Sequence, residues 1–208
     1  MLDGWVSPWW QAMCLPRKWN ICGTHINALS CWHTFALENI GNRYLIGGNP
    51  TRDDAMSLLL FVRGGWKAGL RIMRGPNHRA MMMRRMYQRV RKMEWAELDM
   101  ACREFVETCM RSPRRWSPKD KTPGNASVPP QVHLVRVLVA DYHMTEEQAW
   151  DTPYAYARML YDAHAESNGD TSICSIHAEA VADELESKNI DPETGEVRGS
   201  DDGGDSTT

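Results

Sequence analysis

The sequence predicts a mainly α-helical fold: a helical bundle-like domain with a small N-terminal β element and a disordered acidic C-terminal tail. Three observations carry this. Apolar residues recur at helical spacing, most clearly over 94–111, where Trp95, Leu98, Cys102, Phe105 and Cys109 share one face. Capping residues punctuate the apolar runs, as in Thr51-x-x-Asp54 and Thr145-x-x-Gln148. The last stretch, DPETGEVRGSDDGGDSTT, has almost no apolar side chain with which to offset the entropy of ordering. No internal repeat and no βαβ alternation compete with this reading.

Taken in order, residues 1–18 form a Trp/Pro-rich, irregular N-terminus, and Trp5, Trp9 and Trp10 are candidate partner-binding side chains. A helical region with a small β element follows over 19–111. Trp19–Ile26 is a short strand or extended segment. Asn27 then starts a helix with Leu29, Trp32, Ala36 and Ile40 on its stripe, ended by Gly41. Tyr44–Ile46 is short and apolar, and Gly47-Gly48-Asn49-Pro50 is a turn. Thr51 caps the next helix, which runs through MSLLLFV to Gly64-Gly65. Two acids sit at the positive end of its dipole. Trp66–Arg74 is a short helix, and Gly75-Pro76-Asn77 separates it from a helical segment over His78–Lys92. Pro113 stops the 94–111 helix, and the proline-rich run 112–131 is a linker or long loop.

The region 132–188 is again helical. Val132–Tyr142 alternates well enough for a strand, but Pro129-Pro130 before it and the helices after it favour a buried helix. Thr152 and Pro153 open a helix bearing Tyr154, Ala157, Tyr161 and Ala165, widened by Met159, Leu160 and Ala163. Asn168-Gly169 supplies its left-handed stop. Ser172–Lys188 is an acidic amphipathic helix, and 189–208 is the disordered tail.

The net charge of −3 hides an asymmetry. Residues 1–121 hold 20 Lys/Arg against 10 Asp/Glu, and residues 122–208 hold 4 against 17. From Arg63 to Lys92 there are ten Lys/Arg and no acid. Opposite halves attract, within one chain or between copies, so a homo-oligomer is one arrangement that satisfies them. The expectation is that the acidic region covers the basic one, so that the intact protein binds DNA weakly or not at all and truncation after Gly169 brings salt-sensitive binding. Arg74, Arg79, Arg84, Arg85, Arg89, Arg91 and Lys92 are the candidate contacts to an anionic partner. Thirteen Met and nine Trp suit both a core and an adaptable protein-binding surface, which makes Met81, Met82 and Met86 candidate partner-binding residues.

No apolar run approaches the ~18 residues of a membrane span, and the N-terminus lacks the basic region of a signal peptide. Six cysteines without a secretion signal fit reduced thiols in a cytoplasm. Cys22, His25, Cys31 and His33 are possible zinc ligands, with Cys14 nearby. Their C-x2-H-x5-C-x-H spacing matches no standard finger, and packed thiols with a capped or paired histidine are the preferred reading. His164-x-Glu166 and His177-x-Glu179 lack the Pro-Cys-x-x-Cys partner of zinc deaminases, so both fit surface helix residues better. Phosphate-loop, dinucleotide and nucleophile-elbow motifs are missing. The expectation is therefore a protein with no catalytic residues, no resident metal and no cofactor.

The order of features resembles a known family. Trp19–Ile26 leads into a helix containing His33, then Gly41-Asn42, a Gly/Pro turn and Thr51-x-x-Asp54. Later come a buried helix, the run Ala149-Trp150-Asp151-Thr152-Pro153, and a helix ending Glu166-Ser167-Asn168-Gly169-Asp170. Residues 17–64 and 130–171 resemble bacteriophage and prophage proteins encoded among tail genes and regarded as tail assembly chaperones. The resemblance implies a non-enzymatic protein-binding factor of tail morphogenesis in the host cytoplasm, with a tail tube or tape-measure protein as partner. It carries over no catalytic or ligand residue. The alternatives are a nucleic-acid-binding phage protein using 63–92, which is not favoured, and a structural virion component. A helix-turn-helix over 132–167 is disfavoured because its second helix sets Arg158 against Asp162 and Glu166, which would repel phosphates.

Overall fold

A computed structural model describes residues 8–16, 18–112, 114–115, 128–170, 172–174 and 176–194. Among these residues lie eleven helices and one two-stranded sheet, so the chain is mainly helical with a small β element near its N-terminus. Trp5 and the tail from 195 onward lie outside the described residues, and with them most of the expected disordered tail. Residues 191–194 form a turn in which Asp191 accepts from the N–H groups of Glu193 and Thr194. The expected irregular N-terminus instead contains a helix, α1, over Pro8–Cys14, with Pro8 at its first position, where a missing N–H costs nothing.

β1 (Lys18–Ile21) and β2 (Thr24–Asn27) pair antiparallel, with Ile21 opposite Thr24. Their two-residue turn is Cys22-Gly23, and both residues have positive φ, 55° and 74°. That is the backbone of a type I′ turn, whose twist matches the strands. Asn27 therefore ends a strand rather than starting a helix. Its N–H donates to the Val62 carbonyl at 2.8 Å, fastening the hairpin to the next layer. The helix starts later: α2 spans Cys31–Asn39, capped by Ser30.

α3 (Arg43–Ile46) is one turn, where the sequence showed only a short apolar run. α4 (Arg52–Phe61) has the expected box, with Thr51 and Asp54 each holding the other's backbone N–H. α5 (Trp66–Arg74), α6 (Pro76–Val90) and α7 (Trp95–Met110) follow. Met56, Leu58, Leu59, Leu60 and Phe61 of α4 are buried with Leu37, Leu98, Phe105 and Val90, forming the main core.

Val132–Tyr142 is a helix. α8 covers Pro130–Ala140 and buries Leu134, Val135 and Leu138, which fall on one helical face and not on one face of a strand. α9 (Glu146–Asp151) carries the Thr145–Gln148 box. α10 (Tyr154–Ser167) packs against α1, α2, α7 and α8. Ala157 and Met159 are buried as expected, but because neighbours lie on several sides Ala155 and Asp162 are buried too, Tyr154, Leu160, Tyr161 and Ala165 are half-buried, and Ala163 is exposed. Thr152 also differs from expectation. Its hydroxyl donates backward to the Gln148 carbonyl at 2.7 Å, closing α9 instead of capping α10. α11 (Ile176–Ser187) completes the order.

Candidate functional site

The motif run 149–153 is a joint between the N-terminal and C-terminal helices. Ala149 is fully buried, and Trp150 meets Trp32 edge-on at 6.1 Å and Phe35 at 5.6 Å. Asp151 Oδ1 accepts from the Trp66 N–H at 2.6 Å, capping α5, whose own N-cap is Gly65 and offers no side chain. The Thr152 carbonyl accepts from Cys31 N–H, and the Leu29 carbonyl accepts from Tyr154 N–H at 2.7 Å. Asp151, Thr152 and Tyr154 each satisfy a backbone group on another element.

His33 belongs to the same joint. Its Nδ1 accepts from the Ser30 N–H at 3.1 Å, and its Nε2 donates to the Gly64 carbonyl at 2.7 Å. Burial holds its pKa below the usual histidine value. The ring is therefore neutral, it closes a capping box in the place usually taken by Glu or Gln, and both nitrogens are used. Cys31 is buried, and burial pushes its thiol up to about 12, far from the thiolate a metal needs. Cys22 is exposed on the hairpin turn, and His25 is exposed on β2. The cluster 22–33 is not brought together as a site: no group of three potential metal-binding side chains occurs among the described residues.

A cavity of about 990 Å³ adjoins the joint, lined by Asn27, Ser30, His33, Tyr142, His143, Gln148, Asp151 and Tyr156 among others. Most of its polar groups already have partners. Ser30 and His33 hold each other, Asp151 caps α5, Gln148 holds Thr145, and the Tyr142 hydroxyl donates to the Leu160 carbonyl. Its walls serve the joint more than any ligand.

A second concavity of about 600 Å³ lies between α4 and α6. The two helices run antiparallel, since Arg52 at the start of α4 donates to the carbonyls of Val90 and Met93 at the end of α6. Met56, Leu60 and Phe61 are its buried floor, Met83 a half-buried wall, and Ile40 and Tyr87 its exposed apolar rim. Its ends differ in charge. Asp53 and Asp54 sit at the α4 start, Arg79 at the α6 start, with Arg84 between. Hydrogen bonds from Thr51 and from the Arg43 N–H hold the Asp54 carboxyl below its usual pKa, although partial burial opposes them, so it stays charged.

Among the other expected site residues, Met81 is 43% exposed and Met82 half-buried. Met86 is a correction. It is 1% exposed, on the α6 face turned to the core, and cannot meet a partner. Trp9 and Trp10 lie on α1, and their side chains are outside the described set, as is all of Trp5. Arg74, Arg79, Arg84, Arg85, Arg89, Arg91 and Lys92 are all exposed, and none forms an ion pair among the described residues.

The described acidic residues do not cover them. Glu147 pairs with Lys67, Asp183 and Glu186 with Arg114, Asp162 with Arg115 and Arg158, and Asp170 with Arg115. Two sequence readings change here. Asp162 is fully buried between two arginines and repels nothing at a surface, and Glu179 is buried and accepts from the Arg114 N–H at 3.0 Å. Arg114 and Arg115 fall in the expected linker, yet Arg115 pairs with Ile173 as a β-bridge and ties this segment to the C-terminal region. A single sequence gives no sign that two linker arginines have buried acids 47 and 65 residues away as partners. No family model matches the chain, and neither a curated protein nor a solved structure matches it. No helix among the described residues is long and apolar enough to cross a membrane.

Proposed function

We propose that this chain is a non-enzymatic protein-binding factor of bacteriophage tail morphogenesis, acting as an assembly chaperone for a tail tube or tape-measure protein. The family attribution rests on the resemblance carried by residues 17–64 and 130–171. The observation that supports a protein-binding role is the α4–α6 groove, with its buried apolar floor, thioether and phenol walls and oppositely charged ends. A groove of this kind suits an amphipathic helix, and methionine lets it adapt to more than one sequence. The charged ends orient the occupant. Its acidic end lies by Arg79 and its basic end by Asp53.

The experiment is co-expression with the tail tube and tape-measure proteins of the same gene cluster. Intact protein co-purifies with one of them. Tyr87→Glu, at a side chain 47% exposed and so harmless to the core, weakens association by at least about tenfold. No association of the intact protein with any tail protein overturns the reading.

A further inference from the structure

The outward face of α6 is a different surface from the groove. From Arg63 to Lys92 there are ten cations and no acid. Only Lys67 among them has an ion-pair partner among the described residues, Glu147. Counted at about 100° per residue from buried Met86, Arg85 and Arg89 share the flank of α6 away from the groove, Arg91 lies on its outward ridge, and Arg84 stands where that ridge meets the groove rim. The helix is 15 residues long, or about 22 Å, and its exposed positions between the arginines include Ala80 and Gln88, which oppose no anion.

Several described acids of the C-terminal region are engaged elsewhere. Asp162 and Asp170 hold Arg115, Asp183 and Glu186 hold Arg114, Glu184 holds Lys188, and Asp151 caps α5. Among the described residues the two halves meet through Lys67, Arg114 and Arg115, and no acid pairs with the cations of α6. We infer that the outward face of α6 binds the phosphate backbone of double-stranded nucleic acid, without sequence preference, in the intact chain. Guanidinium groups match phosphate oxygens in pairs, and a row of them without interspersed acids gains affinity by releasing counterions. A protein partner would need apolar contact as well, and the large exposed apolar side chains of α6 are Met81 and Tyr87, of which Tyr87 forms the groove rim.

The test is fluorescence anisotropy of the full-length protein with a labelled 20-base-pair duplex of random sequence. If about four phosphates are engaged, raising salt from 50 to 200 mM weakens binding by about 100-fold. Arg85→Gln, Arg89→Gln and Arg91→Gln combined, none of which lines the groove, lower the log–log salt slope by about 2 to 3. The matching Arg→Lys triple variant keeps most of the slope, because lysine still neutralises phosphate. Circular dichroism confirms that both variants stay helical. No binding by the full-length chain at 50 mM salt overturns the inference. So does binding that emerges only after removal of residues 195–208, which would mean that the segment covers the face. Tighter binding to polyglutamate than to the duplex also overturns it, in favour of an acidic protein partner.

Discussion

At the scale of the residue, the most consequential side chains are polar ones in apolar surroundings. His33 is 2% exposed and neutral. Its folded pKa is depressed below an unfolded value of about 6.5, so the stability it contributes is complete above that pH. As pH falls below about 6.5, the unfolded chain takes up a proton that the native ring refuses, and stability falls by up to about 1.4 kcal/mol per pH unit. Wild-type protein therefore loses thermal midpoint between pH 7 and 5.5. His33→Gln, which preserves a box-closing acceptor at the same position, flattens that part of the profile. An unchanged profile in the variant would remove His33 as the cause. Asp162 is the second case. Both its arginines are about one-quarter exposed and partly screened, so Asp162→Ala costs about 3 kcal/mol, the low end for breaking a buried pair. Chemical denaturation measures this, and a loss under 1 kcal/mol would mean that Arg115 and Arg158 find water instead. Neither role was legible in the sequence beyond its local part. Ser30-x-x-His33 has box spacing, but the Gly64 carbonyl that fixes the ring lies 31 residues away.

At the scale of the element, caps and stripes were legible where a helix has one buried face and its own punctuation. α4 and α9 carry such caps, and α7 the clean stripe. The readings that changed did so because tertiary contacts set the outcome. Asn27 ends a strand because its N–H reaches Val62, and α10 lacks one clean stripe because four helices surround it. Close approach between elements makes its own test. A Cβ on Gly69 of α5 would sit 2.1 Å from Trp32 Nε1 of α2. Gly69→Ala gains about 1 kcal/mol in helix propensity but forces two helices apart, at a cost of about 1–3 kcal/mol or more. The clash is with a ring wedged against Trp150 and Phe35, so it should win. The variant is expected to unfold several degrees below wild type, and a higher midpoint would show that the α2–α5 contact yields freely.

At the scale of the whole molecule, the two oppositely charged regions do meet, but through Lys67, Arg114 and Arg115, not through α6. Composition revealed the asymmetry and could not reveal which cations would be used, because pairing depends on which loops the fold returns to which helix. The same arrangement shows that truncation after Gly169 is a poor probe of the acidic region. It would remove Cys174, Glu179, Ala180 and Ala182, all of them buried, and strip Arg114 of its partners. The groove was legible only as a tendency, in the methionines and in the apolar helix after Thr51. Which methionine faces in, Met86, and which lines the wall, Met83, was decided by the packing of α6 on α4.

The measurement that tests the protein-binding reading most directly uses those methionines as reporters. Methyl-labelled methionine is followed by NMR while the co-purifying tail protein is titrated in. Binding in the groove shifts or broadens the Met83 methyl, while Met13 and Met144, which line the joint cavity, stay unchanged. Shifts confined to Met13 and Met144, with Met83 silent at saturation, would contradict it and move the binding site to the joint.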